Sequence, residues 1–174
     1  IASFPMKGTI DASIPDAAAA ILEDTKEKAE HATIVDLIRN DLSKVASKVW
    51  VERYRYIDMI QTHEKQLLQV SSEIAGVVDP TLQGKYGSIL KELLPAGSIS
   101  GAPKPSTLAI IKQAEQYTRG YYTGIMGYFD GDQTFDSAVM IRYIEQTEKG
   151  KLVFKSGGGI TARSDAKDEY HEMI

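Results

Sequence analysis

The sequence predicts an α+β fold in which antiparallel β-sheets are flanked by helices. Apolar residues recur at helical spacing between Ile14 and Ala46, and strand-like apolar segments follow between Val49 and Val78. After Tyr121, short strand-like segments bounded by turn residues fill most of the chain. Helices inserted in blocks between strands that are joined by turns are typical of the α+β class.

The first half of the chain predicts a strand, two helices and a β-hairpin. Residues 1–4 resemble the middle of a strand, and this abrupt opening is expected of a fragment. Two helices are predicted between Ile14 and Ala46, broken near Asp24 and Thr25, because Pro15 suits a first helical position and the alanines that follow favour helix. The hairpin follows from two strand-like segments between Val49 and Val78, separated by a polar turn at residues 62–65.

The second half predicts two more helices, three strands and a final short helix. One helix is expected over residues 81–94, ending at Pro95, and another is expected to end near Tyr117 after a loop at residues 97–105. Strands are expected over residues 121–129, 135–146 and 152–155. Ser164 and Asp165 are predicted to cap the last helix.

Composition excludes several classes of function. The 174 residues carry a net charge of −4 without a long basic run, so neither nucleic acid nor a membrane surface is an expected partner. The sequence lacks an apolar run long enough for a membrane span. The absence of cysteine excludes disulfides, thiolate metal sites and a cysteine nucleophile, and it is in keeping with a cytoplasmic protein.

Two pairs of glutamates are the first candidate site. Glu27 with Glu30, and Glu169 with Glu172, are each spaced i,i+3 within a predicted helix, so both carboxylates of a pair lie on one helix face. Carboxylate oxygens drawn from two helices suit Mg²⁺. The alternative is a pair of solvated surface patches. The apolar stripe that follows His31 favours the metal site, since it places Glu30 beside buried positions.

Three further features have a functional and a structural interpretation. Gly157–Gly159 forms either a backbone cradle for an anion or a tight turn. Arg142, predicted inside an apolar strand, either extends to solvent or pairs with a buried anion. Lys7 stands between a proline and a Gly-Thr turn, where it is either an exposed turn lysine or a side chain held in place by its neighbours.

Taken together, these segments resemble the chorismate-utilising enzymes, which include anthranilate synthase component I, aminodeoxychorismate synthase component I and, more distantly, isochorismate and salicylate synthases. The resemblance covers residues 1–174 in the family order and implies the C-terminal portion of one chorismate-binding domain. The matching segments are Pro5–Thr9, Lys26–His31, Ile34–Leu42, Leu94–Lys104, Arg119–Gly124, Ile141–Arg142 and Gly157–Ile160.

The resemblance also implies roles for individual residues. Chorismate is a dianion, and one of its carboxylates would bind Mg²⁺ while the other binds protein groups. The implied direct Mg²⁺ ligands are Glu30 and Glu172, and Glu27 and Glu169 would act through water. The implied substrate-binding residues are Gly8, Thr9, Tyr122, Arg142, Gly157, Gly158 and Gly159.

Within the family, the sequence is closest to aminodeoxychorismate synthase component I, because that enzyme carries a lysine at the position of Lys7. The resemblance implies attack of Lys7 on C2 of chorismate, loss of the C4 hydroxyl, and entry at C4 of ammonia from a glutamine amidotransferase subunit. The product, 4-amino-4-deoxychorismate, leads to 4-aminobenzoate and folate. Gln69 departs from the pattern, since the family often has a histidine there and an amide is not a general acid. The alternatives are anthranilate synthase component I and an inactive fragment that binds a partner.

Overall fold

The structure is a computed structural model that describes residues 1–131, 134–161 and 164–173, except for the side chain of Glu172. The chain forms two compact units, residues 1–104 and residues 105–174.

An antiparallel sheet organises the first unit. Its central strand β4 pairs with β1 and β2 along one edge and with β3 along the other. The bounds are β1 Ala2–Ser3, β2 Met6–Asp11, β3 Ala46–Gln61 and β4 Gln66–Val78. The hairpin predicted around residues 62–65 is confirmed, since β3 and β4 flank this turn.

Two helices pack against this sheet, as the sequence predicts. Helix α1 spans Ala17–Glu23 and α2 spans Thr25–Leu42. The break between them is at Asp24, whose side chain caps α2 by accepting a hydrogen bond of 2.8 Å from the backbone N–H of Glu27. The core of this layer is the buried cluster of Val35, Leu42 and Ile74.

The segment from residue 80 to residue 104 differs from its prediction. Instead of one helix over residues 81–94, a 3₁₀ turn at Pro80–Leu82 is followed by helix α3 at Tyr86–Leu93. Gly84, at φ +74°, separates the two, because a left-handed residue cannot continue a right-handed helix. The predicted loop over residues 97–105 contains the one-turn helix α4 at Gly97–Ser100, and α5 begins inside it and spans Lys104–Glu115.

A buried carboxylate anchors α4 to α2. Asp41, only 6% exposed, accepts a hydrogen bond of 3.0 Å from the backbone N–H of Gly97. Its other oxygen lies 2.8 Å from the ammonium of Lys44 and 2.7 Å from that of Lys104. Because a buried carboxylate is stable only when it is paired and hydrogen-bonded, this cluster fixes the start of α4.

The second unit contains two antiparallel hairpins and a helix. The first hairpin pairs β5 with β6 and the second pairs β7 with β8. The bounds are β5 Ile125–Phe129, β6 Phe135–Val139, β7 Tyr143–Gln146, β8 Leu152–Lys155 and α6 Ala166–Met173. Asp165 caps α6, as predicted, by accepting hydrogen bonds from the backbone N–H groups of Lys167 and Asp168.

Two strand predictions for this unit are wrong in extent. The strand expected from residue 121 begins only at Ile125, because the preceding residues form turns in which Tyr122 bonds back to Arg119 and Gly124 to Tyr121. The strand expected over residues 135–146 is two strands, because its halves pair with different partners, β5 and β8. Arg142 consequently lies exposed in the bend between them and not inside a strand.

Burial is unequal between the two units. Among the described residues, nine of the ten buried hydrophobic side chains belong to the first unit, and only Tyr122 belongs to the second. None of the helices in the described ranges has both the length and the apolar character needed to cross a membrane.

Candidate active site

Lys7 lies where strand β2 departs from regular pairing. The register with β4 shifts between Met6 and Thr9, and Gly8 adopts φ +92°, a conformation that strongly favours glycine. The Lys7 ammonium lies 2.9 Å from a carboxylate oxygen of Glu30 on α2, and about a third of the Lys7 side chain is exposed. Lys7 is therefore a partly buried, ion-paired residue and not an exposed turn lysine.

Glu27, one turn before Glu30, faces the same segment. A Cβ atom added at Gly8 would stand 3.0 Å from its Oε2 atom, so the carboxylate packs directly on the glycine backbone. This oxygen is buried and has no hydrogen-bond partner among the described residues. Beside it is a cavity of about 250 Å³ lined by Gly8, Thr9, Ile10, Ala20, Ile21, Asp24 and Glu27.

Thr9 belongs to a row of polar side chains across the sheet. The amide of Gln69 donates a 3.1 Å hydrogen bond to the Thr9 hydroxyl, and the two residues are register partners on β2 and β4. Asp58 is the register partner of Gln69 on β3. Since cross-strand partners point to the same face, all three side chains share one side of the sheet. Sequence reasoning missed Asp58, which only the exact hairpin register reveals.

His31 follows Glu30 and is fully buried. Its Nε2 atom lies 2.7 Å from the hydroxyl of Ser72, which also accepts a 2.9 Å hydrogen bond from the backbone N–H of Arg55. Burial lowers the pKa of His31 below its ordinary value, and an interaction of the ring with the backbone of Lys7 opposes this effect. That interaction falls short of regular hydrogen-bond geometry, since Nδ1 has no regular partner among the described residues.

The second unit brings Tyr122 to the triple glycine. A Cβ atom added at Gly157 would overlap the Tyr122 hydroxyl, and one added at Gly158 would stand 3.2 Å from Oε2 of Glu169. Tyr122 is 9% exposed, and its burial raises the pKa of the phenol. The positive charge of Arg119, whose guanidinium lies 5.4 Å from the ring centroid, opposes that rise.

The predicted metal ligands are divided between the units. Glu27 and Glu30 lie in the first unit and Glu169 in the second, and the side chain of Glu172 is outside the described residues. Among the side chains that the structure describes, no three acidic or histidine groups cluster closely enough to hold a metal ion. The buried, unpartnered oxygen of Glu27 and the carboxylate of Glu30 are hard donors suited to Mg²⁺, so the residues present fit this ion. The four-carboxylate site stays a prediction.

Comparison with known families gives the wider context. The model of the chorismate binding enzyme family matches residues 1–174. The chain belongs to this family. An uncharacterized PabA-like protein of Pasteurella multocida is 57% identical over all 174 residues, and anthranilate synthase component 1 of Arthrobacter globiformis is 37% identical over 99% of the chain. The chain spans 53% of the length of the Pasteurella protein and 31% of the length of the Arthrobacter enzyme.

Solved structures of the family share the fold. Anthranilate synthase component I of Streptococcus pneumoniae matches 98% of this chain, and 37% of its own, with a TM-score of 0.79 and 30% identity. A 2,3-dihydroxybenzoate-specific isochorismate synthase of Bacillus anthracis matches 99% of this chain, and 46% of its own, with a TM-score of 0.71 and 21% identity. The predicted α+β class, with antiparallel sheets and helices, is thus confirmed as the fold of this chorismate-binding family.

Proposed function

We propose that this chain contributes to an aminodeoxychorismate synthase, which replaces the C4 hydroxyl of chorismate by an amino group, with Lys7 as the nucleophile. The observation that carries the proposal is the position of Lys7. Its amine is partly buried, lies 2.9 Å from a carboxylate, and stands on a strand beside Gly8 and Thr9. An amine placed in this way is suited to attack a bound ring once it has left the carboxylate, because covalent catalysis requires a nucleophile that lies close to its substrate.

The proposed reaction has two displacement steps. In the first, the lone pair of the neutral Lys7 amine forms a bond to C2, the two ring double bonds shift, and the C4–O bond breaks. The hydroxyl takes up the proton that the amine loses and leaves as water. In the second, ammonia forms a bond to C4, the double bonds shift back, and the C2–N bond breaks with return of the electron pair and a proton to Lys7. Each step conserves atoms and charge.

The chain's carboxylates would hold the metal ion of this enzyme. Glu30 and Glu172 are the proposed direct ligands, with Glu27 and Glu169 acting through water. Bound Mg²⁺ would neutralise a carboxylate of chorismate and orient the ring. Glu30 also neutralises Lys7 in the present structure, so the lysine must leave this carboxylate and lose a proton before it can attack.

The remaining roles follow the same division of charge. Arg142, Tyr122 and the backbone of Gly157–Gly159 are proposed to hold the enolpyruvyl carboxylate, and Gly8 and Thr9 to contact the ring. The exposed position of Arg142 leaves its guanidinium accessible to an anion. Ammonia is proposed to come from a glutamine amidotransferase subunit, in the cytoplasm, in the route to 4-aminobenzoate and folate.

Replacement of Lys7 tests the proposal. The natural protein that contains this chain, expressed at its full length, is incubated with chorismate, ammonia and Mg²⁺. The products are separated and identified by mass. We expect 4-amino-4-deoxychorismate from the parent and a loss of about 100-fold or more in Lys7→Ala, because the covalent route is closed. Lys26→Ala is the matched control, since Lys26 also faces Glu30, at 3.9 Å, but has no proposed chemical role. An unchanged rate and product in Lys7→Ala would refute the mechanism.

A second candidate function is that of anthranilate synthase component I. It is favoured by the TM-score of 0.79 to one such enzyme and by the 37% sequence identity to another. The same product analysis separates the two enzymes, because anthranilate carries nitrogen at C2 and is formed with release of pyruvate. Absence of Mg²⁺-dependent chorismate binding in calorimetry would instead favour an inactive, partner-binding member of the family.

A further inference from the structure

Two consecutive residues of α2 lie beside Lys7, one near its side-chain ammonium and the other near its backbone. Glu30 binds the ammonium of its side chain at 2.9 Å, and the ring of His31 interacts with its backbone. The β2–β4 register shifts between Met6 and Thr9, so the regular strand pairing does not include Lys7. The groups next to the lysine therefore include residues outside the ladder, and His31 is one of them.

His31 is itself fixed by strand β4. It has no exposed surface, and its Nε2 atom lies 2.7 Å from the hydroxyl of Ser72. The backbone N–H of Ser72 donates a 3.0 Å hydrogen bond to the carbonyl of Pro5, two residues before Lys7. One serine thus links the imidazole to the strand that carries the lysine, and it does so on the side of the sheet that faces α2.

The hydrogen bonds around Ser72 indicate the tautomer of His31. The Ser72 hydroxyl oxygen accepts the backbone N–H of Arg55 at 2.9 Å, which leaves its proton free to be donated to Nε2. With Nε2 as the acceptor, the neutral ring carries its proton on Nδ1. Nδ1 is buried without another regular partner among the described residues, and the backbone of Lys7 is the group with which the ring interacts.

Arg55 extends this network to α1. Its guanidinium donates hydrogen bonds of 2.9 Å and 3.3 Å to the carbonyls of Leu22 and Ile21 near the end of that helix. Arg55 adopts φ +49° in β3, where the register with β4 shifts. This backbone conformation is uncommon for residues other than glycine. Such backbone conformations persist only where the surroundings impose them.

We propose that His31 is a positioning residue: through its hydrogen bond to Ser72 and its contact with the Lys7 backbone, it holds Lys7 in the place from which the amine reaches its substrate. The proposal rests on the assignment of Lys7 as the nucleophile. His31 does not touch the substrate, since it is completely buried beneath the strand. Loss of the His31–Ser72 hydrogen bond is expected to reduce turnover without weakening substrate binding, because a displacement near 1 Å lowers a rate by about 100-fold.

The test uses two measurements on the full-length natural protein that contains this chain. One is the chemical labelling of Lys7, which does not depend on activity, and the other is steady-state kinetics. The variants are Ser72→Ala, which keeps the backbone hydrogen bond to Pro5, His31→Ala, and His31→Gln, whose amide restores a polar partner for Ser72. Ser71→Ala is the matched control, because Ser71 is the adjacent buried serine and its hydroxyl has no partner among the described residues. Far-ultraviolet circular dichroism confirms the fold of each variant.

The first measurement is the acetylation rate of Lys7 with acetic anhydride, compared with Lys26 in the same sample by peptide mass spectrometry. We expect the Lys7 to Lys26 ratio to change by about threefold or more in Ser72→Ala and His31→Ala, less in His31→Gln, and not in Ser71→Ala. In the second, we expect kcat to fall by about 10- to 100-fold with KM within about threefold.

The outcomes separate the assignment of His31 as a positioning residue from the assignment of Lys7 as the nucleophile. A folded Ser72→Ala variant that keeps the parental Lys7 labelling and kcat would overturn the positioning role and reduce His31 to core packing. If Ser72→Ala fails to fold, the Lys7 labelling and the kcat of His31→Gln decide by the same criteria. Altered Lys7 labelling together with full activity of Lys7→Ala would uphold the positioning of the lysine but refute its proposed chemistry.

Discussion

Gly157 shows how the absence of one methyl group shapes the second unit. The Tyr122 hydroxyl occupies the space into which a Cβ atom at this position would project, and Tyr122 is the buried hydrophobic side chain of that unit among the described residues. Tyr122 cannot be displaced without disturbing the Arg119 side chain stacked near it. The glycine is therefore required by packing alone.

We expect Gly157→Ala to lower the free energy of unfolding by about 1–3 kcal/mol, the usual range for overpacking a buried contact. Thermal unfolding followed by circular dichroism measures the loss. Gly159→Ala is the control, because nothing lies within 4 Å of a Cβ atom at Gly159 in the described structure. Addition of Tyr122→Phe should restore much of the stability, since it removes the overlapping hydroxyl. Equal stability of the two alanine variants would contradict this explanation.

Asp41 connects helices that are far apart in sequence. One of its carboxylate oxygens caps the short helix α4, and the other lies between two lysines, one just after the end of α2 and one at the start of α5. The hydrogen bond from Lys44 to this carboxylate, together with the attraction between their charges, raises the pKa of Lys44 above its ordinary value. A helix of four residues is not stable by itself, so α4 depends on this anchor.

We expect Asp41→Ala to destabilise the first unit by about 3 kcal/mol, because it removes the acceptor of the Gly97 N–H group and the carboxylate that pairs with Lys44 and Lys104. Urea unfolding followed by the fluorescence of Trp50, which lies in β3, reports on this unit. Asp36→Ala is the control on the same helix. Asp36 forms an exposed ion pair of 3.7 Å with Arg39, and such pairs contribute about 0–1 kcal/mol. A similar small effect of both variants would show that the cluster is not an anchor.

Elements were predictable where the deciding signals are local. The break at Asp24 and the hairpin turn at residues 62–65 follow from residues next to each other in sequence, and both predictions are confirmed. The end of β6 was not predictable, because it depends on which strand each half of residues 135–146 pairs with. A run of apolar residues does not encode a change of partner.

The candidate site also has features that the sequence predicts and features that it does not. The spacing of Glu27 and Glu30 predicts a shared helix face, and both side chains do face β2, where they meet Gly8 and Lys7. The links from His31 to Ser72 and from Gln69 to Thr9 join residues 41 and 60 positions apart. Such contacts are fixed by strand register and packing, which a single sequence does not reveal.

The two units of the chain differ in how much apolar surface they bury. Strands β5–β8 form two-stranded hairpins whose large side chains are mostly exposed, such as Tyr128 at 72%, Ile144 at 65% and Phe154 at 62%. Two-stranded hairpins are marginally stable unless a third element covers them. The first unit, by contrast, has a continuous core between its sheet and α2.

Hydrogen exchange of the 174-residue chain should reflect this difference. We expect amides of β4 to exchange slowest and those of β5–β8 to exchange faster by about 100-fold or more, because local opening needs less free energy where fewer apolar contacts are lost. Mass spectrometry of peptides from the two units measures the rates, and β3 serves as the internal reference for a well-paired strand. Equal protection of β4 and β7 would show that the second unit is stabilised in another way.

The central position of β4 has a consequence for synthesis on the ribosome. Strand β2 carries Lys7 and pairs with β4. In this pairing, the partner of Thr9 is Gln69, which lies 60 positions later in the sequence. At an elongation rate of about 5–20 residues per second, the lysine emerges roughly 3–12 s before the strand against which it docks. The hairpin of β3 and β4 has only local pairing and can form as it emerges, so it would provide the template onto which β1 and β2 dock later. Lys7 is thus made well before the strand that positions it.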